Sequence, residues 1–265
     1  MGSIERCFRV PSKPSVNQKR ESDPVELSII MPLYNEDACL AANMVRISNY
    51  LKTLPVISEI ILVNDGSRDH TARIGRRIAA GNAQIRLKSY ANNRGKGYAV
   101  KTGILAAKGR FRIFMDADLA VPVEFIGICL EKLRKGAPVV IGSRHLPDSC
   151  FKVPEGFLRT VLGKIYRKLT LLCLGLSVTD ITCGLKGFSE KAALDVFSRS
   201  LINRWGYDAE IIFLTEKLGI SVAEISVEWY HSFNSAVNVG RDSVGTFLEM
   251  LQIGVNYINN RYDLP

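Results

Sequence analysis

A chain of 265 residues that is 47% hydrophobic and 23% charged can bury a sizeable core, which excludes disorder as its organising state. No apolar run approaches the roughly 20 residues that span a bilayer; the longest, "LTLLCLGLSV" from Leu169, has ten, so the expectation is a soluble or peripheral protein. The formal net charge of +9 asks for an anionic partner, and with no aromatic residues interleaved among the basic ones, nucleic acid is not expected to be that partner.

Residues 1–25 hold Pro11, Pro14 and several serines, with five Lys/Arg against one Glu over the first twenty positions, the composition of a flexible basic tail. This start lacks the apolar core of a signal peptide, and Arg6 stands where a myristoylation signal wants Ser or Thr. From Leu27 short β-branched runs recur: LSIIM (27–31), EIILV (59–63), FRIFM (111–115) and PVVIG (138–142). Helical-period segments lie between them at about 37–52, 69–80, 97–107 and 122–134. Strands alternating with helices of this length predict an α/β fold with a mostly parallel, Rossmann-like central sheet flanked by helices. After about residue 142 the alternation breaks down, and the second half is expected to extend the same sheet.

Six cysteines (7, 39, 129, 150, 173, 183) form no C-x-x-C pair and have no histidine at ligand spacing, so neither a zinc site nor a disulfide framework is read from them. "RGKGYAV" fails as a dinucleotide fingerprint, because Val100 replaces the third glycine, and no Walker A run exists.

The chemistry gathers at the strand ends, where open α/β sheets bind ligands. "PLYNE" (32–36) follows the first strand: Asn35 caps a helix, or Tyr34, Asn35 and Glu36 meet a base and ribose. "NDGS" (64–67) follows the second, with Ser67 or Asp69 as a helix cap or Asp65 as acceptor for a base N–H. "NNRGKGYA" (92–99) sets Arg94 and Lys96 among glycines at a helix start: an anion site or a solvated basic loop. In "DAD", Asp116 and Asp118 share strand parity, and two unpaired like charges repel. A divalent cation removes that repulsion; an N-cap for the helix near Pro122 would use only one of the two.

Arg144 ends another strand. From Phe157 to Leu172, apolar positions 158, 161, 162, 165, 169 and 172 form one helical face, with Arg159, Lys164, Arg167 and Lys168 off it. Val244, Phe247, Leu248, Leu251, Val255 and Ile258 repeat the pattern. Such amphipathic helices either pack on a core or lie in a membrane interface; two of them plus a basic tail favour the interface.

Taken in order, "SIIMPLYNE", "EIILVNDGSRDHT", "NNRGKGYAVKTGI", "RFRIFMDADLAVP", "IGSR", "DITCGLKGF" and "RWGYDAEIIFL" resemble the inverting glycosyltransferases of GT-A fold, specifically the polyprenyl-phosphate sugar synthases. Within them the resemblance is to the dolichyl-phosphate β-glucosyltransferase branch, with the GDP-mannose-using branch second. The resemblance implies a single domain over residues 26–265, with a nucleotide-binding half to about 142 and an acceptor and membrane-facing half from about 143. It implies that Pro32, Tyr34, Glu36 and Asp65 hold the base and ribose of a nucleotide-sugar, with Arg94 and Lys96 nearby. Asp116 and Asp118 would bind Mg²⁺ or Mn²⁺ on the diphosphate, and Arg144 and Arg159 the phosphate of a polyprenyl lipid. Asp208 and Glu210 would orient the sugar or the acceptor arginines; a hydroxyl acceptor on a glycan would instead need a base, with Asp208 the candidate. Some relatives carry Gln where this chain has Ala120, and many carry transmembrane helices. The expectation is therefore a protein peripheral on the cytoplasmic face of a membrane, reaching its lipid from the side or through a membrane-embedded partner protein.

Overall fold

The computed structural model describes residues 24–151, 157–230 and 239–264, the side chains of 151, 157–162 and 239–243 excepted. The tail expected over residues 1–25 lies, but for its last two residues, outside the described residues, as does the Arg159 side chain. Strand and helix alternate as the sequence pattern requires through β1 (Leu27–Leu33), α1 (Leu40–Thr53), β2 (Ser58–Asp65), α2 (Thr71–Ala80), β3 (Ile85–Tyr90), α3 (Lys96–Ala106), β4 (Phe111–Met115), α4 (Phe125–Arg134) and β5 (Val139–Ser143). Then follow β6 (Cys150–Phe151), α5 (Phe157–Leu174), β7 (Leu185–Ser189), α6 (Glu190–Arg199), α7 (Tyr207–Lys217), β8 (Val222–Ser226), β9 (Glu228–Trp229) and α8 (Val239–Ile258).

Seven strands form one sheet in the order β3-β2-β1-β4-β7-β5-β8, and β6 pairs with β9 apart from it. All neighbours in the large sheet run parallel except β7, which is antiparallel to both β4 and β5. Three strands of the large sheet escape the pattern reading for physical reasons; one of them, β8, VAEIS, is an edge strand with a glutamate at its centre. β3, IRLKSY, is an edge strand whose outward positions are polar, and β7, LKGFS, carries a lysine and a glycine where β-branched residues would mark a core strand.

Helices on both faces make the central strands apolar throughout: every residue of β1 is buried. Side-chain alternation divides them, with Ile30, Ile61 and Phe114 in the core beneath α3, α6 and α7, and Ile29, Leu62 and Ile113 in the core beneath α1 and α4. At the N-terminal edge of β1 and β2 a buried polar knot fixes the strands. Glu59 accepts from Ser28 Oγ (2.7 Å), Lys108 N (2.7 Å) and Arg86 Nη2 (2.6 Å).

α5 and α8 turn their apolar stripes outward rather than into the core. Leu172 is 77% exposed, Ile258 78%, Val244 63% and Leu248 59%, while Met250 and Ile253 of α8 are the buried contacts. The core-packed alternative for these stripes is not what the described residues adopt. Among the described residues no helix is long and apolar enough to cross a membrane.

α3 approaches β1 through Gly103, where an added Cβ would stand 2.3 Å from Ile30 Cγ2. Gly103→Val is expected to lower stability by about 1–3 kcal/mol through overpacking, read as a lower urea midpoint with an unchanged m-value.

Candidate functional site

The residues singled out at the strand ends converge on the carboxyl-terminal edge of the sheet. Pro32 sits in β1 two residues past the last β1–β4 pair, Ile30↔Phe114, so the strand can carry a proline there. The β1–α1 loop is laced to the β2–α2 loop: Asn35 N donates to Ser67 Oγ (3.0 Å), Arg68 N to Asn35 Oδ1 (2.8 Å) and Glu36 N to Thr71 Oγ1 (2.7 Å). Asn35 adopts φ 56° and caps no helix; the residue before α1 is Cys39, without a side-chain cap. The residue before α2 is His70, likewise without a side-chain cap, and Asp69 Oδ1 accepts from Thr71 N, the first residue of that helix, at 2.9 Å. Tyr34 is half-buried beside Asn35.

Asp65 is 2% exposed and organises the next loop from below. Its carboxylate accepts from Asn93 Nδ2 (2.8 Å), Arg94 N (2.7 Å) and Gly95 N (2.9 Å). The turn that follows Asp65 needs Gly66, whose φ is +64° and whose Cβ, if present, would lie 2.5 Å from Asn93 N. Arg94 stacks on the Tyr98 ring with its guanidinium 3.9 Å from the centroid, and Tyr98 packs edge-on against Tyr90. Tyr90 buries a hydroxyl that has no hydrogen-bond partner, a feature with no signal in the sequence.

The DAD turn closes the mouth. Lys96, the first residue of α3, brings Nζ to 2.6 Å from Asp116 Oδ1. Asp118 does not cap α4, which Glu124 precedes; instead its Oδ1 accepts from Ala120 N at 3.0 Å, across a turn that holds Leu119 at φ 53°. Burial, then the Asp116 charge, raises the Asp118 carboxyl. Glu36 belongs to the same cluster: burial pushes its carboxyl up to about 7, with the Asp118 and Asp116 charges adding and a Cys39 thiol hydrogen bond opposing. Among the described residues no three His, Cys, Asp or Glu side chains converge as a ready metal cage. The mouth nevertheless fits a hard divalent cation. It offers carboxylate oxygens from two aspartates, held together against their mutual repulsion with one lysine to offset them.

The DITCGLKGF segment closes the site from the other side. Gly184 presses its backbone on the DAD turn, and a Cβ there would meet Asp116 Oδ2 at 2.2 Å. Asp180 grips Arg144 through Nε (2.8 Å) and Nη2 (3.0 Å); burial opposes ionisation of this carboxyl, but the Arg144 charge and hydrogen bonds win and hold it at about 2. Arg144 also donates to Thr182 Oγ1 (2.7 Å). Asp208 is buried at the start of α7, where Lys186 Nζ lies 2.5 Å from its Oδ1. Glu210 serves the packing instead: it accepts from Leu201 N, Ile202 N and Tyr262 Oη. Lys186, Gly184 and Asp180 carry no individual signal in the sequence, because their roles exist only where β7 runs back between β4 and β5.

The sequence profile of the family described as "Glycosyl transferase family 2" matches residues 28–197. A protein of Dictyostelium discoideum named "Dolichyl-phosphate beta-glucosyltransferase" is 33% identical over 257 residues, covering 92% of this chain and 78% of its own. A human protein of the same name is 30% identical over 227 residues, covering 79% and 68%. In fold, the chain is similar to glucosyl-3-phosphoglycerate synthase from Mycobacterium tuberculosis, crystallised with Mn²⁺, UDP-glucose and phosphoglyceric acid. That likeness has a TM-score of 0.65 at 19% identity over 91% of this chain and 81% of the other.

A raised Glu36 carboxyl means the folded chain binds more protons than the unfolded one between about 4.5 and about 7. Its contribution to stability is complete below pH 4.5 and lost as pH rises through 7. Urea unfolding of metal-free protein at a series of pH values should show that decline, and Glu36→Gln should flatten it.

Proposed function

The chain belongs to glycosyl transferase family 2, and from that premise we propose that it transfers glucose from UDP-glucose to dolichyl phosphate with inversion at the anomeric carbon. The observation that carries this reading is the meeting of Glu36, Lys96, Asp116 and Asp118 at one mouth, in a chain 33% identical to a dolichyl-phosphate β-glucosyltransferase. We assign base and ribose to Pro32, Tyr34, Glu36 and Asp65, with Arg94 and Lys96 beside the diphosphate. Asp116 and Asp118 would hold Mg²⁺ or Mn²⁺. When bound, the cation supplies Lewis-acid stabilisation of the departing nucleoside diphosphate.

A phosphate acceptor requires no strong general base. A phosphate monoester with its second pKa near 6 is mostly dianionic at neutral pH, so its oxygen needs positioning more than deprotonation. Arg144 and Arg159 would supply that. Arginine suits the task because its planar fork stays charged and can bind two oxygens at once. The ionised Asp180 keeps Arg144 aimed, since it occupies the Nε edge of the guanidinium. His145 lies in the same positive field: burial, together with Arg167, Arg144 and Lys164, lowers its pKa despite the opposing Asp180 charge.

Access to the lipid falls to α5 and α8. Their outward stripes, with exposed Lys164 and Lys168 alongside, would lie in the headgroup region of the cytoplasmic leaflet, where anionic lipid attracts a chain of net charge +9. A membrane-embedded partner protein would be a further means of retention. On this reading residues 26–265 form one domain, with the donor half to about 142 and the acceptor half beyond it.

Purified protein offered labelled UDP-glucose or GDP-mannose, a polyprenyl phosphate and Mg²⁺ or Mn²⁺ should move label into the lipid phase from UDP-glucose. Asp118→Asn or EDTA should reduce the rate by about 10²-fold or more. Transfer from GDP-mannose alone would reassign the donor, and UDP binding without transfer from either would sink the synthase reading. Leu172→Asp with Leu248→Asp should weaken binding to anionic vesicles at least about tenfold, since a fully buried leucine is worth about 1.5–3 kcal/mol. Vesicle flotation measures it.

A further inference from the structure

Lys186 is fully buried in β7, in the middle of the sheet. Its ammonium donates to Asp208 Oδ1 (2.5 Å) and to the Cys183 carbonyl (2.8 Å), and lies 5.4 Å from the centre of the Phe114 ring. Replacing a buried ion pair by apolar residues of similar volume is often neutral or stabilising, so stability alone does not account for a lysine at this position. The neighbouring charges do. Lys96 stands 2.6 Å from Asp116 at the mouth and is attracted both by Asp116 and by the deeper Asp208. Asp208 thus faces two lysines and, without Lys186, would have only Lys96 to answer its charge.

We propose that Lys186 is a positioning residue for glucosyl transfer: by pairing with Asp208 it prevents that carboxylate from drawing Lys96 back from Asp116 and the donor diphosphate. The inference rests on the function proposed above. The four groups Lys186, Asp208, Lys96 and Asp116 are two cations and two carboxylates, so with Lys186 in place Asp208 makes no net demand on the mouth where Asp116 and Asp118 would hold the cation. One stretch of backbone couples the two ends, because Gly184 abuts Asp116 two residues before Lys186 reaches Asp208.

The test compares wild type, Lys186→Met, Lys186→Arg, Asp208→Asn and the double variant Lys186→Met/Asp208→Asn as full chains. The readouts are thermal unfolding, UDP affinity by calorimetry at fixed Mn²⁺, and transfer to polyprenyl phosphate. Lys186→Met should lose about tenfold in UDP affinity and about 10²-fold in kcat, and Lys186→Arg should recover most of both. Neutralising Asp208 removes the competing charge, so the double variant should match Asp208→Asn alone and exceed Lys186→Met about tenfold in both readouts. If Lys186→Met does not fold, the comparison of the double variant with Asp208→Asn decides: a folded double variant ten times weaker in UDP binding refutes the proposal. Lys186→Met with wild-type affinity and kcat would also refute it, as would loss of all transfer in a folded Asp208→Asn protein, which would give Asp208 a direct role. Absence of transfer in wild type overturns the assigned reaction, and the UDP affinities still judge the pair.

Discussion

Carboxylates crowded at one mouth are the constraint that the rest of this architecture answers. Glu36 comes from the β1–α1 loop and Asp116 and Asp118 from the turn after β4; both aspartate charges raise the cost of ionising Glu36, and the Asp116 charge that of Asp118. They stay together because every loop that carries them is tied elsewhere. Glu36 is fixed by its backbone to Thr71, Asp118 is closed onto Ala120 N, and Asp116 is flanked by Lys96 and by the bare backbone of Gly184. The non-glycine residues Asn35 and Leu119 take left-handed conformations immediately beside Glu36 and Asp118. Strain of this kind persists where surrounding structure over-determines it, and it collects at functional sites.

The two ends of the sheet treat buried polarity differently. At the N-terminal end Glu59 is saturated by Ser28, Lys108 and Arg86, and Arg112 by two carbonyls and Glu190. These knots fix strand register and leave no buried valence open. At the carboxyl-terminal end the Tyr90 and Tyr207 hydroxyls and Arg167 Nε are buried without a hydrogen-bond partner. Buried polar groups are normally satisfied, so incomplete satisfaction at this end marks the end of the sheet equipped to take a ligand.

A transferase acting between a water-soluble donor and a lipid must serve both phases. The sheet edge offers charge, and the outward stripes of α5 and α8 offer apolar surface that a protein wholly surrounded by water would bury. Between them lie two held arginines, Arg144 clamped by Asp180 and Thr182, and Arg167 donating to the Thr179 carbonyl, on the side proposed for the acceptor.

The sequence by itself determined the βαβ order and the four strand ends that carry chemistry, because period and turn residues are local properties; the pairing of Asp116 with Asp118 is set by the turn after β4, which holds Leu119 left-handed, and not by strand parity. It also marked the amphipathic stripes of α5 and α8 and favoured an outward, interfacial placing of them over core packing. Only the tertiary structure decided the rest. A strand containing Lys186 and Gly187 reads as polar and weak until it is inserted antiparallel between β4 and β5. That insertion buries Lys186 against Asp208, lays Gly184 on Asp116 and leaves Asp180 to orient Arg144. Asp65 reads as a ligand for a base, and folding makes it first the buried anchor of the Asn93–Gly95 loop. The physical reason is the same throughout. Pairings between residues far apart in sequence depend on which strands become neighbours, and the pattern along the chain carries no record of that.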